Sequence, residues 1–145
     1  MKVGILTTFS NMSETYSLVS IVKSQISMLM KAGHDVVLFV NEDFKGEVPC
    51  EVRAVVPVFS YEQYQSVSSI PSHLVSSLQA AFLRNMSDID ICFTHDIFLQ
   101  DAYLAHNLAV RKVDLPIRWR HWIHSQPNGV KVASVPQGHR IVFLN

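Results

Sequence analysis

At 145 residues the chain has room for one domain built on a single core. Hydrophobic residues make up 48% and charged residues 17%, which excludes a disordered chain. Lysine plus arginine equals aspartate plus glutamate, at 12 each, so charge gives no case for nucleic acid or an anionic membrane as the main partner.

Residues 3–9, VGILTTF, form a short apolar run that suits a strand buried on both faces. No apolar run approaches the roughly 20 residues of a membrane span, and Met1-Lys2 lead straight into this strand rather than into a signal peptide. A cytoplasmic location is expected. The loop that follows has no glycine and is no dinucleotide fingerprint. It offers polar groups instead: Thr8, Ser10, Asn11, Ser13 and Thr15. Asn11 with Glu14, or Ser13 alone, would cap the next helix, and the same loop could bind a ligand, because a helix N-terminus favours anions.

That helix is expected from about Glu14 to Ala32, with Leu18, Val22, Ile26 and Leu29 as its inward stripe. Gly33 falls where a left-handed C-cap belongs. Asp35–Val40 reads as a second strand, completing a β-α-β unit, and residues 41–50 as a charged loop. A third strand, EVRAVVPVF (51–59), contains Pro57, which predicts an edge strand or an end near Val56. Residues 60–70 have no clean period. Pro71 opens a second helix with Leu74, Leu78, Ala81 and Phe82 at helical spacing.

DIDICFTHD (88–96) is a fourth strand with a polar exit at Thr94, His95 and Asp96. A third helix is expected to turn Phe98, Leu99, Ala102, Ala105 and Ala109 inward, with Arg111 and Lys112 in its last turn. The fifth strand lies within IRWRHWIH (117–124). Its Arg118, Arg120 and His121 predict a short strand or one toward the sheet edge. Residues 125–138 are turn-rich, and RIVFLN (140–145) is a sixth strand. Strands alternating with helices indicate an α/β, doubly wound, mainly parallel sheet of about six strands with helices on both faces.

If the sheet is parallel, three strand exits open on one edge, where ligands of such sheets sit. They carry Thr8, Ser10 and Asn11, then His95 and Asp96, then His124, Ser125 and Gln126. Two histidines at matched exits are the sharpest feature. His121 alternates to the other face, leaving the pair without a third ligand of clear spacing, so no metal is assigned. Cys50 and Cys92 have no metal-type spacing, and Cys92 reads as a core residue. No Gly-x-Ser-x-Gly elbow, Walker loop or Cys-x-x-Cys occurs.

On MKVGILTTF, the helix ending MKAGHDVVLFV, the strand DIDICFTHD and the later strand ending WIHS, the chain resembles the N-terminal domain of a GT-B glycosyltransferase of the family 4-like kind. The resemblance implies a single Rossmann-like domain, 1–145, that binds the acceptor. It would act with a second, donor-binding domain in cis or in trans, and would be inactive without it. It implies transfer of a sugar from a nucleotide-sugar donor to a carbohydrate or glycan acceptor, with no cofactor bound by this chain alone. His95 and His124 would contact the donor sugar or the acceptor, with Thr8, Ser10, Asn11, Asp96, Ser125 and Gln126 around them as substrate-binding residues. Peripheral membrane association is compatible with this. The first loop departs from the pattern, since many relatives carry a Gly-Gly pair where this chain has Ser10-Asn11-Met12-Ser13. The donor-side Glu-x7-Glu element has no counterpart before Asn145, so one piece of a longer or split enzyme is expected. The alternatives are a stand-alone small-molecule-binding or interaction module on a Rossmann-like scaffold, and a different, metal-assisted enzyme using the two histidine exits.

Overall fold

The computed structural model describes residues 1–59, 66–126 and 130–143. Six strands form one sheet: β1 (Lys2–Leu6), β2 (Asp35–Asn41), β3 (Glu51–Val56), β4 (Ile91–His95), β5 (Arg118–Ile123) and β6 (His139–Phe143). Their spatial order is β3-β2-β1-β4-β5-β6, and every neighbouring pair is parallel. The order reverses between β1 and β4, which makes this a Rossmann-like doubly wound fold with its switch point beside those two strands.

Helix α1 (Ser17–Lys31) covers one face, and α2 (Ser72–Asn85) and α3 (Leu104–Lys112) cover the other. The strand period of two separates the cores. Val3, Ile5, Val36 and Leu38 pack under Val22, Ile26 and Leu29 of α1. Leu6, Val37, Phe39, Cys92 and Trp119 pack under Leu78, Phe82, Leu108 and Ala109 of α2 and α3. Gly4 faces this second core, where a Cβ would come within 3.0 Å of the Phe39 ring. None of the helices among the described residues is long and apolar enough to cross a membrane.

Several expectations hold. Gly33 adopts φ +82°, its N–H donates to the Met30 carbonyl, and the His34 N–H donates to the Leu29 carbonyl, closing α1. β3 ends at Val56, ahead of Pro57, and is an edge strand. Cys92 is fully buried, and burial pushes its thiol up.

Other boundaries move. α1 begins at Ser17, not Glu14, and its N-cap position is Tyr16, with no side-chain cap bond. Asn11 Oδ1 accepts from the Ser13 N–H, and the Ser13 and Thr15 hydroxyls bond each other, so the expected caps close a turn before the helix. Phe98 and Leu99 precede α3 in a turn followed by a 3-10 segment, Asp101–Tyr103. β5 spans Arg118–Ile123 and lies one strand inside the edge, because β6 flanks it. Much of 60–70 lies outside the described residues; Val67–Ser69 forms a 3-10 turn.

At the amino ends of the strands, ionic bonds tie the sheet together. Asp88 accepts two bonds from Arg53, at 2.7 and 2.8 Å, and lies 2.8 Å from Lys2 Nζ. Glu51 accepts from Arg53 Nε at 2.7 Å. The Arg53 guanidinium, then Lys2, hold the Asp88 carboxyl well below the usual carboxylate range. Asp90 accepts from the Lys2 N–H through its carboxylate and from the Arg118 N–H through its carbonyl, which joins the starts of β1, β4 and β5.

Candidate functional site

The parallel register carries the exits of β4 and β5 to the carboxyl edge of the sheet, with His95 beside Trp122 and His124 one turn of the pleat further on. His95 is buried on the α1 face of the sheet. Its Nε2 lies 2.8 Å from Gln25 Oε1 of α1, and its Nδ1 lies 2.8 Å from His124 Nε2. The rings of His95 and His124 stack, with centroids 5.1 Å apart and planes at 16°. Trp122 stacks against both.

With Gln25 Oε1 facing the His95 ring, the proton positions follow. An amide oxygen only accepts, so His95 Nε2 carries the proton and donates to Gln25. His95 Nδ1 is then an acceptor, and His124 Nε2–H donates to it. His124 Nδ1 is left with a bare lone pair. It is a buried atom with no hydrogen-bond partner, and the only other such side-chain atom among the described residues is Trp122 Nε1, two residues back on the same face of β5. Buried polar groups are ordinarily paired, so two unpaired ones on adjacent stacked rings mark a place built to meet something else. Burial, and secondarily the neighbouring His124, push the His95 imidazole down to about 3, while Asp96 opposes this. His95 is therefore a neutral relay ring at ordinary pH.

Asp96 holds the outer ring in place. It sits at φ 52°, a left-handed conformation that aspartate tolerates, and this turns its carboxylate across to β5. Oδ1 accepts from the His124 N–H at 2.7 Å and the Ser125 N–H at 3.2 Å, and Oδ2 accepts from Ser125 Oγ at 3.0 Å. Asp96 and Ser125 thus position His124. Gln126 is exposed at the start of the β5–β6 connection.

The first loop forms a separate cluster that leans toward β2. Ser10 Oγ donates to Asp43 Oδ1 at 2.7 Å, and Asn41 Nδ2 donates to the Thr8 carbonyl and to Ser10 Oγ. Asn11 bridges to Lys45. The Ser10 hydroxyl and the Asn11 side-chain oxygen already have partners within the chain, which makes this loop a corner braced against the end of β2.

Sequence reasoning missed Gln25 and Trp122. Gln25 had a signal: it lies three residues after Val22 and four before Leu29, inside an otherwise apolar inward stripe. It also missed a second histidine pair on the opposite face. His121 Nδ1 lies 2.8 Å from Thr94 Oγ1, and His121 Nε2 lies 2.9 Å from His139 Nδ1. His121 is fully buried, with the Phe98 ring 3.9 Å away on a plane only 10° off its own, and Arg111 lies over the far side of Phe98. Burial pushes His121 down to about 3 and His139 to about 4.

Among the described residues no three or more histidine, cysteine, aspartate or glutamate side chains are grouped to hold a metal ion. Surface hollows on the outer side of α1, at Lys23, Ser27 and Met28, and between α2 and α3, at Val75 and Leu108, lie away from the histidine edge. No family model, curated protein or solved structure matches this chain.

Proposed function

We propose that the chain is a carbohydrate-binding, acceptor-side domain of a GT-B-type glycosyltransferase. The observation that carries this reading is His124 Nδ1: a lone pair fixed by the Gln25–His95–His124 chain at the carboxyl edge of a Rossmann-like sheet. Once uncovered, such an atom takes a hydrogen bond from a hydroxyl and, in transfer, would accept that hydroxyl's proton as its oxygen attacks the sugar carbon. His95 would spread the positive charge that develops on His124, and Asp96 would keep the ring oriented. The braced first loop supports an acceptor role over a donor one, since Ser10 and Asn11 are engaged within the chain and no glycine lets the backbone approach phosphate. A nucleotide-sugar and the groups that stabilise its departing diphosphate would come from a second domain.

The test is a titration of the isotopically labelled chain with a panel of mono- and oligosaccharides and, separately, with nucleotide-sugars. A saccharide is expected to shift the His124 Nδ1 resonance, and His124→Ala to abolish that binding. Tighter binding of a nucleotide-sugar than of any saccharide, or no saccharide binding at all, would sink the reading. The alternative of an interaction module has one observation in its favour: among the described residues, no helix covers β5 and β6 on the α1 face of the sheet.

A further inference from the structure

A parallel sheet is normally covered on both faces, yet the described residues leave one face half bare. The described part of the β5–β6 connection runs on the α3 side: Val132 packs against the core there, its carbonyl accepts from Arg111, and Lys131 pairs with Asp101. On the other face, α1 packs over β1 and β2 and reaches only as far as β4. Among the described residues, nothing helical lies over β5 and β6 on that face. The burial of β5 records this, since Trp119, His121 and Ile123 are buried while Arg118 is exposed and Arg120 and Trp122 are only half-buried. Phe93, Trp122 and Val142 form the apolar floor of this face, and Arg118, Arg120 and Arg140 stand on it.

The charge pattern says what is missing. Arg120 and Arg140 are register partners, so two like charges lie abreast, which costs stability unless something neutralises them. None of the ion pairs among the described residues includes any of the three arginines. Arg120 donates to the Trp119 carbonyl, and Arg118 reaches the Met1 sulfur. A second copy of this chain cannot supply the carboxylates from a helix, because α1, α2 and α3 contain no aspartate or glutamate. We infer that this face docks an amphipathic helix of a different polypeptide, its apolar stripe on Phe93, Trp122 and Val142 and its aspartate or glutamate side chains against the arginines. This is the helix-in-groove mode with the charges setting partner choice. The inference does not rest on the carbohydrate reading.

Two synthetic helices of about five turns, sharing one leucine stripe, test it. One is flanked by glutamate, the other by lysine. The glutamate peptide is expected to shift the Phe93, Trp122 and Val142 resonances of the full chain, with affinity falling about tenfold or more from low to high salt. Arg140→Glu is expected to weaken it, and Arg120→Glu with Arg140→Glu to transfer binding to the lysine peptide. Circular dichroism checks that each variant is folded, and the exposed Arg140→Glu alone suffices if the double variant is not. Equal binding of both peptides, binding of neither, self-association through Trp122, or the same shifts from a single-stranded oligonucleotide but not the glutamate peptide would each overturn the inference.

Discussion

His121 in β5 and His124 just past its end lie on opposite faces of the sheet, and the two pairs they form are wired differently. His121 has partners at both ring nitrogens, Thr94 and His139, and the Phe98 ring lies flat against it. His124 has a partner at one nitrogen only and leaves the other bare. The residue types and the ring spacing of 5.1 Å are the same in both pairs. What differs is where the hydrogen-bond chain starts. On the α1 face it starts from an amide oxygen that can only accept, so every proton points back toward the core and the last ring becomes an acceptor. On the α3 face it starts from a threonine hydroxyl, which can donate or accept and imposes no direction. One pair is cement; the other is poised.

The largest test of that contrast is stability. His121→Ala removes a fully buried ring from beneath Phe98 and strands Thr94, and should cost about 3–5 kcal/mol in urea unfolding. Equal costs at His121 and His124 would erase the distinction. The next effect is pH dependence. His95 and His121 have folded values near 3 against an ordinary 6.5, so the unfolded chain binds more protons between these limits. Stability is therefore full above about 6.5 and falls with acid, by about 1.4 kcal/mol per pH unit for each ring that stays neutral in the fold. Replacing His121 by Phe should flatten the slope measured by chemical denaturation by one proton; an unchanged slope would mean that His121 titrates normally.

Gln25→Leu should cost about 1–3 kcal/mol, by stranding the His95 Nε2–H. Its more telling effect is on tautomers. With no acceptor at Nε2, the His95 proton is free to move to Nδ1 and donate to His124 Nε2, which forces the His124 proton onto Nδ1. Nitrogen-15 spectra should report Nε2–H on both rings in the parent chain, the reverse in Gln25→Leu, and the parent pattern again in Gln25→Glu. Smallest of all is His124→Ala, expected to cost about 1 kcal/mol because His95 Nδ1 then opens toward water. Its consequence should appear in ligand binding rather than in unfolding.

The β-α-β order was legible because it depends on local signals. Gly33 stops α1, Pro57 marks the edge strand, and the strand runs are short and apolar. The histidine exits were legible too, because a parallel sheet sends every strand's carboxyl end to one edge. The start of α1 was not, since Ser13 and Thr15 satisfy each other instead of capping the helix. Neither was the direction of the relay. It is set by Gln25, 70 positions from its partner, and by which amide atom faces the ring. Pattern reading places residues on faces; it does not say which proton lies between them. The second pair was missed for the same reason, as His139 sits at the start of β6 and meets His121 only through the register of that edge strand.

The ties at the amino ends of the strands, ionic at Lys2, Arg53 and Asp88 and backbone-borne at Asp90, have a mechanical consequence. They pin the strands at one end, and the histidine pair lies at the other. From Ile91 to His95 is a lever of about 13 Å at the rise of a strand. β5 is held to β4 at that end by the Arg118 N–H bond to the Asp90 carbonyl, and a change of about 5° in the angle between the two strands about that point would move their far ends apart by roughly 1 Å. That is enough to break a 2.8 Å contact between two rings. The His95–His124 bond is thus sensitive to sheet twist.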